Sequence, residues 1–565
     1  MDINKYETMS VREPISADGL RERVYDYKEK DPQASAGHAS AHLVMLERFF
    51  LVVSLLIGAI SHGYHLFIYP LYLTDEGIYM EQAWSVLREG QLSPYTYYYD
   101  HAPAGWLLIA GWVALLPHQF ETFGNAINTG RVLMLLVHVA STYLLFRCTR
   151  RLSGSLIAAV VACFLFNLSP LAVFYQRQVL LDNLMVFWVL LSLYLATSDD
   201  RSILTPLFSG MVLGVSVLTK ENAIFFMPVI GYLLYGKVRR QFNYRFALTF
   251  WFFGVFSIVS LYFLYAAVKN ELLPSHLSFN LNKPPADHVA LLYTIWQQLH
   301  RSQGGIWTFS RGTWLPKDTF LLVGGIGATL INLVIGLRDR KRHRADLVAA
   351  LLALSYTFYL VRGSVMLEFY IVPLVPFMAM NIGMAASQIL RVVPGDKRMP
   401  LVSGCVRALI LDGCFAVLIL PMGGYVLVHD QYHKTTVLHD LYRLPLASMQ
   451  EEQLAFIRAH IPPDARIIID DDLWVQLHDV QPFYPRAHSH WKASSDPAVR
   501  DKLFARDWRN IDYIVMSNKM LIVMQANNTG GSEDYILEAL QHATPIWQLT
   551  LPQGNVSLAI YQVQK

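Results

Sequence analysis

Asp75 and Glu76 stand side by side in "LTDEGIYM", directly after the first long apolar run of the chain. Other ionisable groups also sit beside apolar runs. Asp100 and His101 lie in "YYYDHAPAGW", Arg177 and Asp182 in "YQRQVLLDNL", and Lys220 and Glu221 in "LTKENAIFF". Arg362, Glu368 and Tyr370 surround the entrance to a later run. Charge is costly at membrane level, and where it is retained it usually serves function. A carboxylate there can take a proton from a hydroxyl, and a cation can meet negative charge as it develops. Each group also has a plainer reading. Acidic residues suit the first turn of a helix, Lys220 and Glu221 could snorkel at a tight helical hairpin, and the tyrosines of "YTYYYD" suit an interfacial belt. Convergence of the groups in space is what separates the two readings.

The elements that must position these groups are apolar helices. The chain has 565 residues, 54% hydrophobic and 16% charged, with mean hydropathy +0.32. An ordinary soluble protein carries about 25% charged residues. A polytopic α-helical membrane protein is expected, with about eleven spans of near-membrane length. They are placed near 48–70, 126–146, 155–175, 180–197, 203–219, 221–236, 246–268, 319–337, 347–361, 367–388 and 406–428. Two further amphipathic or short stretches, 77–88 and 105–117, are expected to lie on the surface. Cys148, Cys163, Cys405 and Cys414 lie in or beside apolar runs without C-x-x-C spacing, so neither a disulfide framework nor a zinc site is implied.

Basic residues set the orientation. Arg147, Arg150 and Arg151, then Arg201, then Lys237, Arg239, Arg240 and Arg245, then "RDRKRHR" (338–344), then Arg391, Lys397 and Arg398 fall on one side. The segment 71–125 on the other side holds a single basic residue, Arg88. Residues 1–47 are therefore expected to form a cytoplasmic tail, largely disordered, and 48–428 a membrane domain with a first outer loop at 71–125 and a long outer segment at 269–318. Residues 429–565 are expected to form a small extracytoplasmic α/β domain. "ARIIID" (465–470) and "IDYIVMS" (511–517) read as strands, "EEQLAFIRAH" and "EDYILEAL" as amphipathic helices, and "IWQLTLP" with "NVSLAIYQV" as a final hairpin. In "IDDDLW" (469–474) three aspartates could hold a cation, but a capped strand-to-helix turn is the simpler reading.

An acidic pair after the first helix, then "YDHAPAGWLLIA", "RQVLLDNL", "LTKEN" and "EFYIVPLVPF", occur in that order. Together they make the chain resemble the GT-C glycosyltransferases that use polyprenyl-phosphate sugars, in particular the protein O-mannosyltransferases and the lipid A aminoarabinose transferases. The resemblance covers about residues 48–390. It implies a GT-C fold and sugar transfer from a polyprenyl-phosphate donor to a hydroxyl of a protein, lipid or glycan, among membrane lipids and with no nucleic-acid partner. It places Asp75 as catalytic base, Glu76 as the second residue of an acidic pair, and Asp182 as a second loop carboxylate. Arg177 and Lys220 match basic positions that meet a phosphate. Relatives often carry Lys where this chain has His101.

In physical terms only one base is needed, which implies inversion at the anomeric carbon. Asp100, His101, Glu221, Arg362 and Tyr370 are further expected substrate-binding residues, and Arg311 is expected to reach the phosphate from the long outer segment. Asp75, Glu76 and His101 could hold a divalent cation, for which hard carboxylates suit magnesium, manganese or calcium. The expected location is a plasma membrane, most simply a bacterial inner membrane. The competing reading is a transporter or lipid flippase, but transporter sites usually lie near the midplane within repeated halves, and no convincing repeat is visible.

Overall fold

The computed structural model describes residues 32–198, 202–238, 244–274, 290–300, 306, 310–362, 366–392, 446–527, 531–550 and 557–565. Two compact units divide the chain, Met1–Val52 and Val53–Lys565. The described part of the first unit is the start of helix α1 (Pro32–Gly63). The site lies wholly in the second.

The protein is a multi-pass membrane protein, mostly helical, with a small C-terminal sheet domain. Among the described residues, helices long and apolar enough to cross a bilayer cover Val44–Gly63, Ala126–Ser153, Phe246–Val268, Phe320–Arg338, Arg344–Arg362 and Glu368–Leu390. Between the first two of these come α2 (Thr74–Arg88) and α3 (Ala104–Ala114), and α4 is Ala126–Ser153. Then follow α5 (Leu156–Leu168), α6 (Pro170–Tyr175), α7 (Leu181–Ala196), α8 (Leu204–Thr219), α9 (Met227–Val238), α10 (Tyr244–Val268) and α11 (Leu291–His300).

Several expected spans are broken where the charged groups sit. The run 48–70 is helical only to Gly63. The run 155–175 divides at Ser169, whose hydroxyl accepts the Ala172 N–H at 3.3 Å. Pro170 has no N–H to continue the ladder. The runs 221–236 and 367–388 both begin as 3-10 turns, Glu221–Phe226 and Glu368–Leu374, before becoming α-helical. Such irregular backbone is tolerated at membrane depth only where protein surrounds it. Here it gathers at one end of the bundle. The expected span 406–428 and much of the segment 269–318 lie outside the described residues.

Small and polar residues hold the bundle. Gly210 of α8 meets the backbone of Trp251 in α10, so closely that a Cβ would fall 2.1 Å from the Trp251 carbonyl oxygen. Close backbone approach of this kind is how membrane helices gain contact where no hydrophobic drive separates them from lipid. Asn381 donates to the Ala349 carbonyl at 2.8 Å and accepts from Asn332 at 2.9 Å, tying three helices together.

The C-terminal domain has five strands in the order β2-β1-β3-β5-β4. β1 (Ile467–Ile469) pairs in parallel with β2 (Ala487–Ser489) and β3 (Tyr513–Ser517), and β5 (Ser557–Val563) runs antiparallel to β3 and to β4 (Ala543–Thr550). The expected strands and closing hairpin are present; β2, only three residues long, has no legible alternation. Ile468, Ile514, Phe504, Tyr535 and Ile536 form its core. The domain grips the first long loop. Ala447 N–H donates to Ile68 O at 3.2 Å, Trp84 Nε1 to Asp479 at 2.8 Å, and Arg88 pairs with Asp479 through two bonds. Asp496 accepts both the N–H and the hydroxyl of Thr96.

Candidate active site at the mouth of the bundle

The acidic pair divides into two unlike residues. α2 begins at Thr74, which places Asp75 and Glu76 in its first turn. Glu76 is fully buried. Its Oε1 accepts from Arg131 Nε and from the Val179 N–H, both at 2.9 Å, and its Oε2 accepts from Arg131 Nη2 at 2.7 Å and the Leu73 N–H at 3.0 Å. A carboxylate offers about four lone-pair positions, and all are taken. Arg131 also donates to the carbonyls of Pro70 at 3.0 Å and Leu66 at 3.2 Å. The expectation that Glu76 serves catalysis or a metal meets this geometry directly: no acceptor position remains for a metal or an incoming proton. The pair instead fixes α2 to α4 and to the strand-like approach of α7.

Asp75, one residue earlier, is half-buried. The hydroxyl that reports its surroundings is that of Tyr79, one turn along α2 and only 2% exposed. Burial, then the charges of Asp75 and Asp182, the Tyr370 phenol and the Asp100 charge, hold that hydroxyl well above its ordinary range. Residues separated by hundreds of positions thus act on one atom.

Asp182 begins α7 and Lys220 ends α8, and they meet as a buried ion pair of 2.5 Å with side chains 0% and 2% exposed. The Lys220 ammonium also lies 4.1 Å from the ring centre of Tyr370 and 5.1 Å from that of Phe369. A buried charge needs such partners. Gly105 lets α3 close over this corner, since a Cβ there would fall 2.4 Å from Leu181 Cδ2.

Glu221 faces the first loop. It accepts the Ala102 N–H at 2.6 Å and pairs with His101 Nδ1 at 3.2 Å. Burial alone would lower the His101 imidazole, but the Glu221 bond and charge and the Asp100 charge outweigh it and leave it raised. The Tyr97 hydroxyl donates to His101 O at 2.5 Å and pairs with Tyr262 at 3.0 Å, and Gln298 of α11 donates to Asp100 O at 2.7 Å. Asp100 therefore stands in a loop braced from α10 and α11.

A second cationic group stands about Glu368, the residue before Phe369. Lys317 Nζ donates to the Tyr175 hydroxyl at 3.0 Å and lies 4.0 Å from the Phe174 ring centre. Tyr175 in turn donates to Glu368 at 3.2 Å, and Trp314 donates to Glu368 O at 2.6 Å. The remaining expected residues are placed as follows. Arg177 is buried, donates to Ser61 O, and lies 6.0 Å from the Tyr69 ring centre. Arg362 is exposed and donates to Leu299 O at 2.9 Å, at the end of α11. Arg311 is exposed on the short helix Ser310–Trp314.

Among the described residues no three His, Cys, Asp or Glu side chains are arranged to hold a metal. With Glu76 saturated and His101 turned to Glu221, Asp75, Glu76 and His101 do not form a donor set for a metal.

The sequence marks neither Arg131 nor Lys317 with a motif, and Tyr79 reads there as part of one helical face with Ala83, Val86 and Leu87. Arg131 lies inside a span, where a lone arginine carries the signal of an intramembrane charge; Lys317 lies in "WLPKDTF", beside the aromatic and apolar start of a span.

Residues 100–271 match the family described as dolichyl-phosphate-mannose-protein mannosyltransferase. No curated protein sequence matches the chain significantly. Among solved structures, ArnT from Cupriavidus metallidurans bound to undecaprenyl phosphate is similar at TM-score 0.55 and 15% identity, over 92% of this chain and 98% of that one. The oligosaccharyltransferase of Archaeoglobus fulgidus, tethered with an acceptor peptide, is similar at TM-score 0.53 and 13% identity, over 92% of this chain and 74% of that one. At these identities the likeness shows the fold, which is GT-C.

Proposed function

We propose that this protein is an integral membrane glycosyltransferase that moves a sugar from a polyprenyl-phosphate donor to an acceptor hydroxyl at the extracytoplasmic face, with inversion and with Asp75 as base. The observation that carries it is the buried Asp182–Lys220 pair against the Tyr370 ring, with Asp75 in the first turn of α2 and its charge, like that of Asp182, felt at the Tyr79 hydroxyl, at one end of a GT-C bundle. The undecaprenyl phosphate held by ArnT supports a donor of that class. The N-terminal tail then lies in the cytoplasm, residues 48–428 form the membrane domain, and residues 429–565 lie outside, at a plasma membrane.

In the proposed reaction Asp75 accepts the hydroxyl proton as the acceptor oxygen bonds to the anomeric carbon. The bond from that carbon to the phosphate oxygen breaks, and the lipid phosphate leaves with the electron pair. Lys220 supplies a cation for that growing charge, whose stabilisation is commonly the largest catalytic effect, while Lys317 and Arg177 serve to bind the donor phosphate. Asp182 holds the Lys220 ammonium in place, while Tyr370 covers it on one side. Asp100 and Glu221 line the approach of the acceptor, His101 adds its positive charge toward the donor phosphate, and Arg311 and Arg362 stand at the rim. Glu76 is assigned the role of anchor.

The test is turnover by the purified protein in detergent, using a panel of polyprenyl-phosphate sugars. Detergent removes the second compartment that transport needs. Release of lipid phosphate with sugar transfer, lost in Asp75→Asn and Asp182→Asn proteins that insert normally, supports the proposal. Full activity in both variants sinks it.

A further inference from the structure

The acidic turn of "IIIDDDLW" has no place in the reaction above, yet it packs backbone against backbone on α2. Gly77, two residues after Asp75, rests on its backbone. A Cβ at Gly77 would fall 2.2 Å from the Asp471 carbonyl carbon, 2.3 Å from its oxygen and 2.4 Å from the Asp472 nitrogen. Backbone meets backbone there, so no side chain could rotate away to make room. A second link leaves the same turn. The Asp472 carboxylate accepts from Gln450 Nε2 at 2.5 Å, and Gln450 Oε1 accepts the Tyr72 N–H at 3.0 Å. Gln450 and Asp472 are both buried. The two links therefore seize the chain at positions 72 and 77, on either side of Asp75.

From the bundle side, the Glu76–Arg131 pair grips the same segment between them. We propose that the Asp470–Asp472 turn and Gln450 are positioning elements for Asp75, so that the C-terminal domain completes the active site by clamping residues 72–77 against α4. The inference rests on the reading of Asp75 as base. Gly77 and Gln450 touch no reacting atom; they act by fixing where the Asp75 carboxylate stands. A misplacement of about 1 Å can cost on the order of a hundredfold in rate.

The experiment compares full-length wild type, Gly77→Ala and Gln450→Leu, purified in detergent, for kcat and donor KM, for melting temperature, and for hydrogen exchange at the amides of 72–80. The expected result for Gly77→Ala is a kcat at least tenfold lower with donor KM within twofold, and faster exchange confined to 72–80. Gln450→Leu is expected to do the same to a lesser degree. Unchanged kcat, or kcat and KM falling together with a global loss of melting temperature, overturns the inference. If wild type transfers no sugar from any lipid phosphate, the reading of Asp75 as base fails by itself. Exchange then decides the clamp: equal protection of 72–80 in all three proteins overturns it.

Discussion

Glu76 and Arg131, 55 residues apart, join through two hydrogen bonds in a place that neither exposes to water. Asp75 beside them is half-buried and lies within electrostatic reach of Tyr79. Adjacent carboxylates thus have different physical fates, and the difference can be measured.

Removing one partner of a buried ion pair costs about 3–5 kcal/mol, because the other charge is left without compensation. Arg131→Leu is expected to lower the melting temperature sharply and to reduce the amount of folded protein recovered. Asp75→Asn is expected to leave the melting temperature nearly unchanged and to reduce kcat about 10²–10⁴-fold, the usual contribution of a general base. Thermal unfolding and turnover of the two variants, read together, check the division of labour.

Lys220 is buried and paired, so its charge is directed rather than solvated. Lys220→Met is expected to lower kcat about 10²–10³-fold, as loss of a donor to a developing oxyanion does. Lys317→Met, at the neighbouring cation, is expected to raise donor KM more than it lowers kcat, because Lys317 reaches the site through Tyr175 and Glu368 rather than through Asp182. Steady-state kinetics with the donor varied separates the two.

The His101 imidazole holds its proton above its usual range, since Glu221 outweighs burial. As pH rises through that raised value the positive charge is lost. Donor KM is therefore expected to climb on the alkaline side, and His101→Lys is expected to flatten the climb by keeping its charge to higher pH. A KM-against-pH profile that is identical in both proteins contradicts the assignment.

At the interface of α2 with the C-terminal domain, burial pushes Glu81 up to about 8, with the Lys492 charge opposing and Glu89 adding to it. Burial and the Glu81 charge likewise raise Asp471, and burial lowers Lys492, which faces Glu81, Asp496, Asp100 and Asp471. A carboxyl raised on folding binds more protons when native, so its stabilising effect is complete below its unfolded value and fades as pH climbs through the folded one. The melting temperature is expected to fall between about pH 4.5 and about 8. Glu81→Gln is expected to remove at least half of that slope, as scanning calorimetry across the interval would register.

Much of this site was legible in the sequence because charge beside apolar runs is conspicuous. Asp182, Lys220 and Glu221 stand out on that ground; in the structure Asp182 pairs with Lys220, and Glu221 with His101. The span at 155–175 carried its own break in Ser169–Pro170, a signal outweighed by the length of the apolar run. Other features had no sequence signal. The saturation of Glu76 depends on Arg131 and on the backbone of Val179, which no spacing rule connects to it. The contact of Gly77 with Asp471 is backbone on backbone, and glycine in a helix reads from sequence only as a weak point. Three-residue strand β2 is too short for alternation to speak, and it is found by its parallel pairing with β1.

The bond between Thr96 and Asp496 spans 400 residues of chain. A ribosome delivers the first loop long before it delivers the domain that grips it. Through most of synthesis, residues 68–96 wait without Gln450, Asp479, Lys492 or Asp496 to receive them. A newly inserted bundle therefore lacks the contacts that hold this loop, and residues 446–496, rather than the first helices, decide when the loop bearing Asp75 takes its final shape.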